Sequence, residues 1–166
     1  MKFTITQRFQ NATPAQVMSA YTDPELYATF EGLTKVAPPG VVSRRQDGNV
    51  VSLVLQMRFV AQLNAAARRV VDPAKLTWLQ EERYDIDSST AAVVFRPDNY
   101  ADRFTSEGGY SFQADDDGTV RTIRGDLRVR MMLVGGQVEG ALVSGLREHF
   151  VEEQPLVQRW LDQHRA

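Results

Sequence analysis

The chain opens on a strict alternation. Phe3, Ile5 and Phe9 fall on one side of residues 2–10 and polar residues on the other, which predicts a half-buried strand. Thr13-Pro14-Ala15-Gln16 follows. Thr13 suits an N-cap, Pro14 the first helical position, and Gln16 completes a capping box, so a short helix is expected to about Thr22. Asp23-Pro24-Glu25 repeats the signal and predicts a second short helix over roughly 24–31. The two cannot run in line, because a residue before proline is pushed out of helical geometry.

After Pro38-Pro39-Gly40 the period returns to two. Val41 to Arg45 and Val50 to Phe59 flank Asp47-Gly48, a strong hairpin signal. Val51, Leu53, Leu55, Met57 and Phe59 share a face of the second strand. Residues 61–71 are rich in alanine and predict a helical turn or short helix ended by Asp72-Pro73. Four more strands are expected: Leu76 to Ile86, Thr90 to Arg96, Phe104 to Gln113, and Val120 to Leu133 with Ile123, Leu127, Val129 and Met131 inward. The remainder carries a helical stripe of Val138, Leu142, Gly145 and His149, broadened by Leu146, Phe150, Val157, Trp160 and Leu161. A helix from about Gln137 to His164 would be about 40 Å long. Pro155 is expected to kink it.

This order, β-α-α, six strands, one long helix, gives an α+β fold. Strands joined by short turns pair antiparallel. One face of such a sheet needs a cover, and the last helix is the element large enough to provide it. No repeat, low-complexity tract or linker divides the 166 residues, so residues 1–166 are expected to form a single domain.

Composition narrows the function. The net charge of −2 gives no overall footprint for nucleic acid or for an anionic membrane. The chain contains no cysteine, which excludes disulfides, thiolate nucleophiles and cysteine-ligated metals. No apolar run reaches membrane-spanning length and the N-terminus does not look like a secretory leader, so a cytoplasmic location is expected. The two histidines have no carboxylate pair on a shared face, so no metal site and no cofactor are expected. Gly140 and Gly145 have P-loop separation, but Leu146-Arg147 stand where Lys-Ser/Thr is needed, and no G-x-G-x-x-G occurs. These glycines point instead to close approach of the helix to the sheet or a ligand. No G-x-S-x-G elbow supports nucleophilic hydrolysis.

Three segments together resemble the START-like superfamily, also called SRPBCC or pollen-allergen-like: the opening KFTITQRFQNATPAQVMSAYTDPEL, the hairpin series from Val41 to Leu133, and the closing VGGQVEGALVSGLREHFVEEQPLVQRWL. The pattern is most similar to a bacterial branch of unknown function. The resemblance implies a helix-grip fold: a curved antiparallel sheet of about seven strands wrapped on a long C-terminal helix, with two short helices after the first strand. It also implies a cavity between sheet and helix for an apolar or amphipathic molecule, such as a lipid or polyketide-like metabolite. The superfamily spans carriers, receptors and cyclases, so fold alone does not settle the activity.

Candidate cavity residues follow from the inward positions. Met57, Phe59, Trp78, Phe95, Phe104, Tyr110, Phe112 and Met131 come from the strands, and Val138, Leu142, Leu146 and His149 from the helix. Tyr84 and Tyr110 could offer hydroxyls. Strict alternation would also turn Gln80 and Glu82 inward, where a carboxylate needs a partner or a raised pKa; a β-bulge would put both in solvent. An arginine or His149 could pair with an inward Glu82. Arg124, Arg128 and Arg130 share the outer face with Asp126. These features favour a non-catalytic binder of a small hydrophobic molecule. A cofactor-free cyclase or dehydratase using Glu82 or His149, or an interaction module with a filled core, is the alternative.

Overall fold

The computed structural model describes residues 1–165. Strand β1 (Lys2–Gln10) leads into helices α1 (Pro14–Tyr21) and α2 (Pro24–Ala28). Strands β2 (Gly40–Asp47) and β3 (Val50–Arg58) form a hairpin, and the short helix α3 (Ala65–Arg68) follows. Strands β4 (Thr77–Asp85), β5 (Thr90–Pro97), β6 (Phe104–Asp115) and β7 (Gly118–Val129) complete the sheet, and α4 (Gly135–Gln163) ends the chain. All neighbours pair antiparallel in the order β1-β7-β6-β5-β4-β3-β2. This is the helix-grip fold, and α4 packs chiefly on β1 and β7.

Local chemistry explains the element ends. Thr13 accepts from the Gln16 amide at 3.2 Å, while the Gln16 side chain accepts from the Thr13 amide at 2.8 Å. The capping box therefore satisfies donors that the first turn of α1 would leave free. Asp23 caps α2 and breaks it from α1 in extended geometry. Gly48 takes φ 57° in the β2–β3 turn, a conformation that glycine adopts without strain.

One expectation changes. β7 stops at Val129, not Leu133. The Arg130 amide leaves the ladder to bond the Arg103 carbonyl at 2.7 Å, and the Met131 carbonyl accepts from Gly135 at 3.0 Å to start α4. Met131 is therefore half-buried in a loop rather than a core strand position. Helix α4 is one element that contains Pro155, as the stripe from Val138 to Leu161 predicts.

Close contact fixes the helix against the sheet side. A Cβ on Gly145 would lie 2.5 Å from the Phe59 ring, so only glycine lets that ring reach the α4 backbone. Gly140 has no such neighbour, and Gly136 faces open space.

Candidate functional site

Two small, partly open voids lie between the inward face of the sheet and α4. The larger, about 50 Å³, is lined by Phe59, Leu76, Trp78, Phe95, Phe104 and Leu127 from the sheet side and by Leu142 and Leu146 from α4. Lys75, Thr77, Pro97, Asn99, Thr105 and Ser106 complete its wall. The smaller, about 20 Å³, lies among Phe3, Val93, Phe95, Tyr110, Ile123, Leu146 and Phe150. Phe95, Ser106 and Leu146 line both. Ligand pockets are typically some 300–1,000 Å³; side chains fill most of the interior here.

A polar cluster borders both voids. β4 keeps strict alternation against β3 and β5 with no register shift, so Trp78, Gln80, Glu82 and Tyr84 all point inward. Glu82 is 4% exposed. Its carboxylate accepts from Gln80 Nε2 at 2.5 Å, the Tyr84 hydroxyl at 2.8 Å and the Tyr110 hydroxyl at 2.9 Å. Trp78 donates its indole N–H to Gln80 Oε1 at 3.4 Å. Burial pushes the Glu82 carboxyl above its ordinary range, against the charge of Arg121 and its hydrogen-bond donors.

Arg121 occupies the centre of the second cluster. It is 2% exposed and donates to Gln7 Oε1 at 2.9 Å and Glu153 Oε1 at 3.0 Å. Its guanidinium carbon lies 3.8 Å from the Tyr21 ring centroid and 4.1 Å from that of Tyr110, within cation–π range. Burial disfavours the cation, but Tyr21 and Glu153 outweigh it and hold Arg121 charged. Glu153 also accepts from the Tyr21 hydroxyl at 2.6 Å and faces His149 Nε2 at 3.3 Å. Burial alone would raise the Glu153 carboxyl; the His149 hydrogen bond and the Arg121 charge override it and hold it at about 2. Gln7 Nε2 donates to the Phe150 carbonyl at 2.7 Å and ties β1 to α4.

His149 Nδ1 and Arg121 Nε have no partner among the described residues. Arg121 acts on both buried carboxyl groups, Glu82 and Glu153, and lowers each against its burial.

A family model described as "Protein of unknown function (DUF2505)" matches residues 4–161. The chain belongs to that family. No curated protein matches this DUF2505 chain by sequence. Among solved structures it is similar to the Zhui aromatase/cyclase from Streptomyces sp. R1128, at 14% identity and a TM-score of 0.64 over 100% of this chain and 95% of the other. Norcoclaurine synthase from Thalictrum flavum aligns at 15% identity and TM-score 0.61 over 99% and 88%. A START superfamily protein from Mycobacterium smegmatis aligns at 15% identity and TM-score 0.53 over 99% and 98%. At such identities the likeness establishes the START-like fold. No helix among the described residues is long and apolar enough to cross a membrane.

Six of the candidate residues meet at the larger void: Phe59, Trp78, Phe95, Phe104, Leu142 and Leu146. Tyr110 borders the smaller one. Met57, Phe112 and Val138 are packed core, Glu82 and Tyr84 sit in the polar cluster, and Met131 lies apart. His149 pairs with Glu153, not Glu82. Gln7, Arg121 and Glu153 were missed. Each had a signal: Gln7 shares parity with Phe3, Ile5 and Phe9, Arg121 with Ile123 and Leu127, and Glu153 stands one helical turn after His149.

Proposed function

We propose that this protein binds a small hydrophobic or amphipathic molecule between the sheet and α4. The observation that carries the reading is the adjacency of apolar void and polar cluster. Trp78 lines the larger void and donates to Gln80; Tyr110 lines the smaller and donates to Glu82. A ligand entering by displacement of Leu146 and Phe95 would merge the voids and bring its polar end to Tyr110 and Gln80. Affinity would come from apolar burial, at roughly 25 cal/mol per Å² before ordering costs. An aromatase/cyclase and norcoclaurine synthase share this fold, which supports a START-like interior that takes a small molecule.

Binding is favoured over catalysis by where the titratable groups stand. Glu82 has three donors and lines neither void, and His149 Nε2 is engaged by Glu153. A general acid or base must reach the reacting atom directly or through one water.

Native mass spectrometry of the purified protein, with identification of any co-purified molecule, tests the reading together with titration by 1-anilinonaphthalene-8-sulfonate. One-to-one uptake that Leu142→Trp blocks supports it. No co-purified molecule and no uptake would sink it.

A further inference from the structure

We propose that one end of the molecule docks on an anionic lipid bilayer, with Met132 and Leu133 as the inserting pair. This end gathers Met1 and the segments 59–76, 98–103 and 130–134, because β1, β4 and β6 begin there and β3, β5 and β7 end there. Met132 is 91% and Leu133 97% exposed. Among the described residues eight large hydrophobics are exposed, and five of them, Met1, Val60, Val70, Met132 and Leu133, belong to this end.

The protrusion is built, not frayed. The base of the 130–134 loop is pinned by Arg130 N–H to the Arg103 carbonyl at 2.7 Å and Gly135 N–H to the Met131 carbonyl at 3.0 Å. Leu133 takes φ 69°, in the left-handed region that a leucine rarely occupies. The chain therefore holds a strained backbone that leaves two large apolar side chains in water, against the hydrophobic effect.

Charge selects the partner. The three segments carry Arg68, Arg69, Lys75, Arg103 and Arg130, all exposed, against Asp72, Asp98 and Asp102. Five cations and three carboxylates leave +2 on these segments of a chain whose net charge is −2. Helix α4 also starts here, with no side-chain hydrogen bond capping it, so the positive end of its dipole adds to the rim. Two side chains on a narrow tip do not make the roughly 800 Å² per partner of a stable protein interface. An apolar tip with a basic rim does match an interfacial membrane anchor. Lys75, Leu76, Thr77 and Asn99, which line the larger void, lie at the same end, so docking would bring that wall to the lipid surface. The inference stands whatever the void holds.

Co-sedimentation with vesicles of phosphatidylcholine alone, and of phosphatidylcholine mixed with phosphatidylglycerol, tests it. The wild type is expected to bind the mixed vesicles and to release as salt rises. Met132→Asp/Leu133→Asp should weaken binding by about tenfold or more with unchanged circular dichroism and thermal unfolding, since both side chains are exposed. Arg130→Gln should weaken binding to mixed vesicles by about fivefold. Failure of the wild type to bind mixed vesicles overturns the proposal, as does equal binding by the double variant. A concentration-dependent dimer that the double variant abolishes, without vesicle binding, would assign the patch to a second copy instead.

Discussion

Replacing Arg121 by methionine tests the buried charge cluster most directly. The guanidinium is 2% exposed and is held by Gln7, Glu153 and two aromatic faces. Its loss strands Glu153 in the interior. The span from the ordinary 4.5 of a glutamate to about 2 in the folded chain is worth roughly 3 kcal/mol of native-state stabilisation of the Glu153 anion. Removing one partner of a buried ion pair costs about 3–5 kcal/mol. In urea at neutral pH, with a slope of about 2 kcal/mol per M, the Arg121→Met midpoint should fall by about 2 M. Glu153→Gln should cost a similar amount, since it strands the cation. The double variant should lose far less than the sum, giving a coupling of about 3 kcal/mol. Acid pH adds a second readout. A depressed carboxyl contributes stability above its unfolded value of 4.5, and that contribution is lost as pH falls toward about 2. The gap between wild type and Arg121→Met should therefore narrow across that window. Additive single losses, or a single loss under about 1 kcal/mol, would refute the account.

Glu82 has the opposite sign. Its folded carboxyl is raised, so its contribution is most favourable below the unfolded 4.5 and declines as pH rises through the folded value. Glu82→Gln should gain on wild type as pH rises, seen in unfolding free energies at several pH values; a constant difference would contradict the raised carboxyl. Gly145→Val should lower the melting temperature and destabilise by about 1–3 kcal/mol, because a Cβ there lies 2.5 Å from the buried Phe59 ring. Thermal unfolding checks it, and an unchanged midpoint would mean the ring moves freely.

The fold was legible because its signals are local. Thr13 with Gln16, Asp23-Pro24, Asp47-Gly48 and the two-residue period of Val51 to Phe59 each specify an element without reference to the rest of the chain. The end of β7 was not, since Met131 to Leu133 continue an apolar pattern that only the Arg103 carbonyl interrupts. The site was half legible. Inward parity found Phe59, Trp78 and Phe104, while a possible bulge left Gln80 and Glu82 undecided until the ladder with β3 and β5 was in place. Arg121 was hidden by its type: an arginine on an inward face is expected in solvent unless a partner is known. That partner, Glu153, is 32 residues away on another element. The size of the voids could not be read at all, because it depends on how side chains from seven strands meet one helix.

The Gln7, Tyr21, Arg121 and Glu153 cluster joins β1, α1, β7 and α4, which span nearly the whole chain. On the ribosome these residues emerge in order. When β7 has been made, β1 can close the sheet, but Arg121 then lies on an uncovered apolar face with its anion still unsynthesised. The growing chain consequently has no stable stopping point before α4, and long-range pairing of this kind is slow to form and exposed to aggregation while it waits. The last helix acts as a latch. Any premature stop upstream of Glu153 should yield a product fit for degradation rather than a smaller working fold.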